Sequence, residues 1–150
     1  MEITSYRWGV AETLEIPDEA VLQFPQGIIG FEDQTSFALL EDTESAARWL
    51  QSLDDPVVAF AVLDPFLIEG SYAFDLNPAD AKALSLKDVD DVGLYVILTV
   101  RLEPEEQITA NLLAPIVINT RRRVGRQVVL QDSAYSIQHQ LQPEVTAAVA

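Results

Sequence analysis

Cysteine is absent from the 150 residues, histidine occurs once, at His139, and basic side chains number only 9 against 24 acidic ones. Each shortage excludes something. Without thiols there is no disulfide framework, thiolate nucleophile, Cys-based zinc site or iron–sulfur cluster. One imidazole defines neither a metal centre nor a catalytic base. The formal net charge of −15 opposes direct nucleic-acid binding, because affinity for a polyphosphate comes largely from Lys and Arg neutralising phosphates. No apolar run approaches the ~18 residues of a membrane span. Met1-Glu2-Ile3-Thr4-Ser5-Tyr6 lacks the basic and apolar regions of a secretion signal. The expectation is a soluble, cytoplasmic chain that needs no cofactor and no membrane and is a monomer when free.

What is present is strand-forming sequence. With 49% apolar residues the chain is long enough for one self-sufficient core. Short segments rich in Val, Ile, Phe, Tyr and Thr, bounded by Pro, Gly or Asp, predict strands at 2–8, 10–16, 20–24, 36–41, 47–52, 57–63, 71–76, 93–101, 107–113, 116–120 and 126–131. The run from Gly93 to Arg101 is apolar almost throughout, as for a central strand covered on both faces. Asn77 as cap, Pro78 at the first helical position and Asp80 in the first turn predict one short helix. The fold class is mainly β: an antiparallel, barrel-like domain over residues 1–142 with one or two short helices. Residues 143–150 read as a flexible tail.

Charge is unevenly spread. The first 120 residues hold 22 acidic and 5 basic groups, a net of −17, whereas Arg121, Arg122, Arg123 and Arg126 fall within six positions. That cluster reads either as a solvated hairpin loop with Gly125 at positive φ, or as a contact for an anion or an acidic partner. Adjacent carboxylates, Asp18-Glu19, Asp54-Asp55, Asp90-Asp91 and Glu105-Glu106, abut turns, and neighbours on a strand point to opposite faces, so solvated turns outweigh an acid–base pair. No Gly-x-Ser-x-Gly elbow or phosphate loop occurs, and Gly27-Ile28-Ile29-Gly30 reads as a turn. Two turns are unusually apolar: Phe24-Pro25-Gln26-Gly27-Ile28-Ile29-Gly30-Phe31-Glu32 and Asp64-Pro65-Phe66-Leu67-Ile68-Glu69. Such groups either plug the ends of a barrel or form an exposed binding patch, and plugging is the simpler reading.

The first of these turns resembles the Phe-x-x-Gly-x-x-Gly-Phe signature of the bacterial flagellar assembly factor FliW family, with Phe24, Gly27, Gly30 and Phe31 as its structural residues. Ala110-Asn111-Leu112-Leu113-Ala114-Pro115-Ile116-Val117-Ile118-Asn119, followed by Gly125-x-Gln127-Val128-Val129-Leu130, is similar to that family's most recognisable segment. Leu50-Gln51-Ser52, Asp64-Pro65-Phe66 and Leu98-Thr99-Val100 match in the same order, so the resemblance spans roughly residues 2–141. Where the family often carries a base three positions after Tyr135, this chain has Gln138 before His139.

The resemblance implies a β-barrel-like domain without catalytic activity. It implies two protein partners: the RNA-binding translational regulator CsrA, antagonised without occupying its RNA surface, and flagellin, which captures the factor in exchange. The acidic charge then has a use in raising the rate of encounter with a basic partner. Contact residues are expected at Asp64, Pro65, Phe66 and Glu69, with Asn111 and Pro115 beside them; Asn111 and Pro115 serve equally well as structural turn and ladder-ending residues. A flagellin chaperone without a regulatory role, or a small β-fold hydrolase using two carboxylates, are the rival classes.

Overall fold

The computed structural model describes residues 1–149. Its strands are β1 (Glu2–Ser5), β2 (Glu12–Glu15), β3 (Val21–Gln23), β4 (Ser36–Leu40), β5 (Arg48–Ser52), β6 (Ala59–Leu63), β7 (Val92–Arg101), β8 (Gln107–Ala110), β9 (Ile116–Asn119), β10 (Val124–Gln127) and β11 (His139–Gln140). The helices are α1 (Pro78–Ala83) and α2 (Pro143–Val149). Strands run β7-β6-β5-β4-β3-β10-β9, and β9 pairs back onto β7, so seven strands close a barrel. The distal half of β7 carries β8 and then β11 as a flap, while β1 and β2 form a separate hairpin.

Pairing is antiparallel, as expected, except at one seam. There β3 and β10 run parallel with Val124 opposite Gln23, and the Gln23 N–H donates to the Arg123 carbonyl at 2.9 Å. Alternation along the strands divides the apolar side chains between two surfaces. Leu22, Phe37, Leu50, Val62, Ile116 and Ile118 share one buried cluster inside the barrel, with Phe60, Tyr95 and Ile97 against it. Their neighbours Leu63, Val96, Leu98 and Val117 face outward, into a second core roofed by Tyr72, Leu84, Leu112, Val128 and Leu130. A third cluster sits where Ile3 and Ile16 pack on Ala38 and Leu40. Strands covered on both faces explain the continuous apolar runs. The cover on β7 stops at Leu98, and Thr99, Val100 and Arg101 are exposed.

The short helix forms where expected: Asn77 Oδ1 accepts from the Ala79 N–H at 2.8 Å, and Pro78 opens the first turn. Other expectations fail for definable reasons. Residues 71–76 form no strand, because Tyr72 and Phe74 turn their rings onto the barrel's outer core instead of joining a ladder. The segment expected as a strand over 126–131 pairs only from Val124 to Gln127. Its remainder crosses the outer core, with Val128 and Leu130 donating to the Pro115 and Leu113 carbonyls. Within the tail expected over 143–150, Pro143–Val149 form helix α2, with Val145 and Val149 against the outer core, which leaves the expected flexibility untouched; Ala150 lies outside the described residues.

The arginine cluster is a hairpin loop between β9 and β10, but the left-handed residue is Arg123, at φ 57°, and not Gly125. Buried Asn119 organises the loop. Its Oδ1 accepts from the Arg121 and Arg122 N–H groups at 3.1 Å each, and its Nδ2 donates to the carbonyl of Leu84 at the end of α1 at 2.8 Å. Gly125 has a different duty: a Cβ there would lie 2.4–2.9 Å from three atoms of the Phe24 ring. Gly125→Ala is therefore expected to destabilise the protein by about 1–3 kcal/mol through overpacking. Gly70→Ala, where an added Cβ meets nothing within 4 Å, should stay within about 0.5 kcal/mol. Urea-denaturation midpoints of the two variants check both.

Candidate functional site

The glycine turn does two jobs with one sequence. Phe24 and Ile28 are fully buried and fill one part of the barrel, where the Phe24 and Phe37 rings meet edge to face at 5.3 Å. Ile29 and Phe31 point outward, Ile29 remaining 58% exposed. The reversal needs both glycines. Gly27 adopts φ +67° with the Glu32 backbone so close that a Cβ would sit 2.6 Å from its Cα, and Gly30 adopts φ +89°. Glu32 closes the turn by accepting from the Gly30 N–H at 3.0 Å; this bond and one from its own N–H hold its carboxyl below the usual carboxylate range. Gln127, at the barrel mouth, accepts from the Ile29 N–H at 2.9 Å and donates to the Ala114 carbonyl at 3.2 Å. The turn is thereby fixed to β10 and to the loop before β9.

Beside it lies a groove of about 330 Å³ walled by Ile28, Ile29, Phe60, Ile97, Asn111 and Ile137, with Thr99, Thr109, Gln127 and Gln138 supplying polar edges. Asn111 thus shares a surface with the glycine turn, whereas residues 64–69 do not line this groove. Its Oδ1 accepts from the Ala114 N–H at 3.0 Å, closing the turn before β9, so one residue both shapes and lines the surface. Pro115 is buried and its carbonyl accepts from Val128; it ends a ladder and offers partners nothing. Ile29, Gln127 and Ile137 were not singled out in the sequence. For Ile29 a signal existed in the motif itself, since two adjacent isoleucines between positive-φ glycines cannot both point inward. Ile137 carried none.

The second apolar turn is a single 3-10 turn, Pro65–Leu67, capped by Asp64, whose Oδ1 accepts from the Phe66 N–H at 2.9 Å. Pro65 is buried, and Phe66 and Leu67 stand 51% and 53% exposed. Here plugging fails as an expectation, because the proline fills the core and frees its neighbours. Glu69 is half-buried and accepts from the Ser71 hydroxyl at 2.8 Å. Behind the turn, the Tyr72 ring meets those of Phe66, Phe74 and Tyr135, the last with ring centres 4.6 Å apart.

None of the carboxylates is buried among the described residues. The adjacent pairs serve turns: Asp54 accepts from Thr35 and Ser36, and Asp55 from Val57. Three cations pair with carboxylates, Arg7 with Glu12, Arg48 with Glu41 and Arg126 with Asp80. No cluster of metal-ligating side chains and no helix long and apolar enough to cross a membrane occurs among the described residues.

The Tyr72 hydroxyl donates to the Leu112 carbonyl at 2.6 Å in a buried setting. Burial, and then the neighbouring Tyr135, push its ionisation well above the ordinary tyrosine range. The unfolded chain releases this proton near pH 10 while the folded chain keeps it, so the stability it contributes is complete below about pH 10 and lost as pH rises further. Tyr72→Phe should cost about 1 kcal/mol at neutral pH. Between pH 10 and 11 its stability should fall less steeply than the wild type's, by up to about 1.4 kcal/mol per pH unit, in urea titrations.

Comparison with known proteins places this architecture. A sequence model described as FliW protein matches residues 8–141. The chain is 40% identical over 132 residues to the flagellar assembly factor FliW of Pseudothermotoga lettingae, covering 88% of this chain and 85% of that one. It is 39% identical over 142 residues to the FliW of Syntrophus aciditrophicus, covering 94% and 87%. A crystal structure of the flagellar assembly factor FliW superposes with a TM-score of 0.85 at 37% identity, over 95% of this chain and 98% of the other. A closed seven-strand barrel plugged by a glycine turn, joined to sequence identity of this extent, establishes that the chain belongs to the FliW family of flagellar assembly factors.

Proposed function

We propose that this flagellar assembly factor works in the cytoplasm as a protein-binding translational regulator, not as an enzyme: it binds a CsrA-type RNA-binding regulator without competing for the RNA surface, relieves repression of flagellin translation, and is itself sequestered by flagellin. The observation that carries this reading is the surface. A net charge of −15, with every carboxylate at least partly solvent-facing, surrounds exposed apolar side chains at two turns. A surface of that kind draws in a basic protein through a long-range field and then binds it through desolvated apolar anchors. The contact set expected from sequence narrows to Asp64, Phe66 and Glu69 with Asn111, joined by Leu67, Ile29 and Ile137, because Pro65 and Pro115 have no surface to offer.

The groove at the glycine turn also supports a second reading, in which the apolar helix of unassembled flagellin is sheltered there without any regulator. If the partners exclude one another, the coupling is reciprocal. Calorimetry of the purified protein with CsrA, alone and with flagellin, at two salt concentrations separates these. The partner switch requires saturable CsrA binding that weakens in salt and is lowered by flagellin; no heat with CsrA beside binding of flagellin leaves the chaperone. Ile29→Ala and Phe66→Ala should each weaken partner binding about tenfold or more, while changing the unfolding free energy by no more than about 0.5 kcal/mol.

A further inference from the structure

A second apolar groove lies apart from the glycine turn, and the end of the chain forms part of its wall. Trp8, Trp49, Leu98, Val100, Ile108 and Val149 line a groove of about 180 Å³, edged by Asp42 and Ser45. Val149 belongs to α2, and Val145, one helical turn earlier, packs with it on the outer core. Among the described residues one backbone hydrogen bond ties α2 to the neighbouring loop, from the Ala46 N–H to the Ala148 carbonyl at 2.9 Å. No residue of α2 is fully buried. Seven residues are too few for a helix to persist alone in water, and two valines and a threonine lower the propensity further. The helix therefore exists because it is docked, and its hold is slight.

We propose that α2 is a detachable strap, and that the outer-core surface it covers, together with the groove beside it, is a docking site for a short amphipathic helix bearing small aliphatic side chains four residues apart. In the resting chain α2 covers that surface with Val145 and Val149, and Val149 also walls the groove. Release uncovers an apolar strip continuous with Val100, which is already 55% exposed, and with Trp8, 54% exposed. A partner helix of the same chemistry has to displace α2, so the strap sets a threshold for binding on this face. Both tryptophans of the chain stand at the groove, edge to face at 5.3 Å, and report its state.

Amide hydrogen exchange on the intact protein tests the strap directly. Amides of residues 145–149 should show protection of about 10- to 1,000-fold, the range for a minor state of 0.1–10%, far below that of β4 and β5. Exchange only through global unfolding overturns the proposal. A chain ending at Gln142 should keep its far-ultraviolet circular dichroism and shift its tryptophan emission to the red; loss of folding, or unchanged emission, overturns it. Val149→Asp in the full chain should give the same red shift and Ala147→Asp, at an exposed position of α2, should not. A synthetic peptide of residues 142–150 should restore the emission of the shortened chain and leave that of the full chain unchanged. Failure to restore it removes the groove as a helix-docking site.

Discussion

The barrel depends on one contact between an aromatic ring and a missing side chain. Phe24 enters the interior from the start of the glycine turn, and Gly125, on β10, gives it the space that any Cβ would occupy. Burying a phenylalanine relative to leaving it in water contributes about 1.5–3 kcal/mol, yet the larger effect is geometric. The ring brings the glycine turn against β10, and Gln127, two residues along the same strand, then holds that turn through the Ile29 N–H. Interior packing and the outward projection of Ile29 are two results of one arrangement. A surface residue is placed here by the core.

A similar economy runs through the buried polar groups. Asn119 joins the arginine hairpin to the end of α1, and Gln51, fully buried, takes a hydrogen bond from the Ser5 hydroxyl at 2.6 Å while donating to the Ser52, Pro56 and Val58 carbonyls. An unpaired buried amide would cost about 1–3 kcal/mol, so each is kept where loops that no ladder satisfies meet the barrel. Ionic groups play little part inside. No carboxylate is fully buried among the described residues, and the strong net charge shapes the field around the molecule more than its fold.

Much of this was legible in the sequence because the signals were local. Pro78 after Asn77, Asp64 before Pro65, and short β-branched runs ended by turn residues each specify an element without reference to the rest of the chain. The glycine turn was legible as a motif, and its positive φ values follow from residue type. What escaped depended on distant neighbours. Gly125 looked like a turn glycine because it follows three arginines, but the ring it accommodates lies a hundred residues earlier. The segment 71–76 has strand composition, yet its rings were needed as a roof. Pro65 reads as a contact residue, and Pro115 as either a contact or a ladder-ending residue, until the strands around them close. Asn111 could be assigned to a turn or to a contact, and the structure gives it a turn bond and a place on the groove wall together.

The parallel seam between β3 and β10 carries a consequence for biosynthesis. The sheet from β3 to β7 is complete once residue 101 has emerged, but the β3 edge and the Val92–Tyr95 part of β7 stay open until β9 and β10, residues 116–127, arrive to bridge them. Open strand edges invite pairing with other chains. Closure rests on contacts about a hundred residues apart in sequence, the kind that form late and slowly. The nascent chain on the ribosome is therefore an unsealed sheet from the emergence of residue 101 until that of residue 127, and most of the acidic charge of its first 120 residues is already in place.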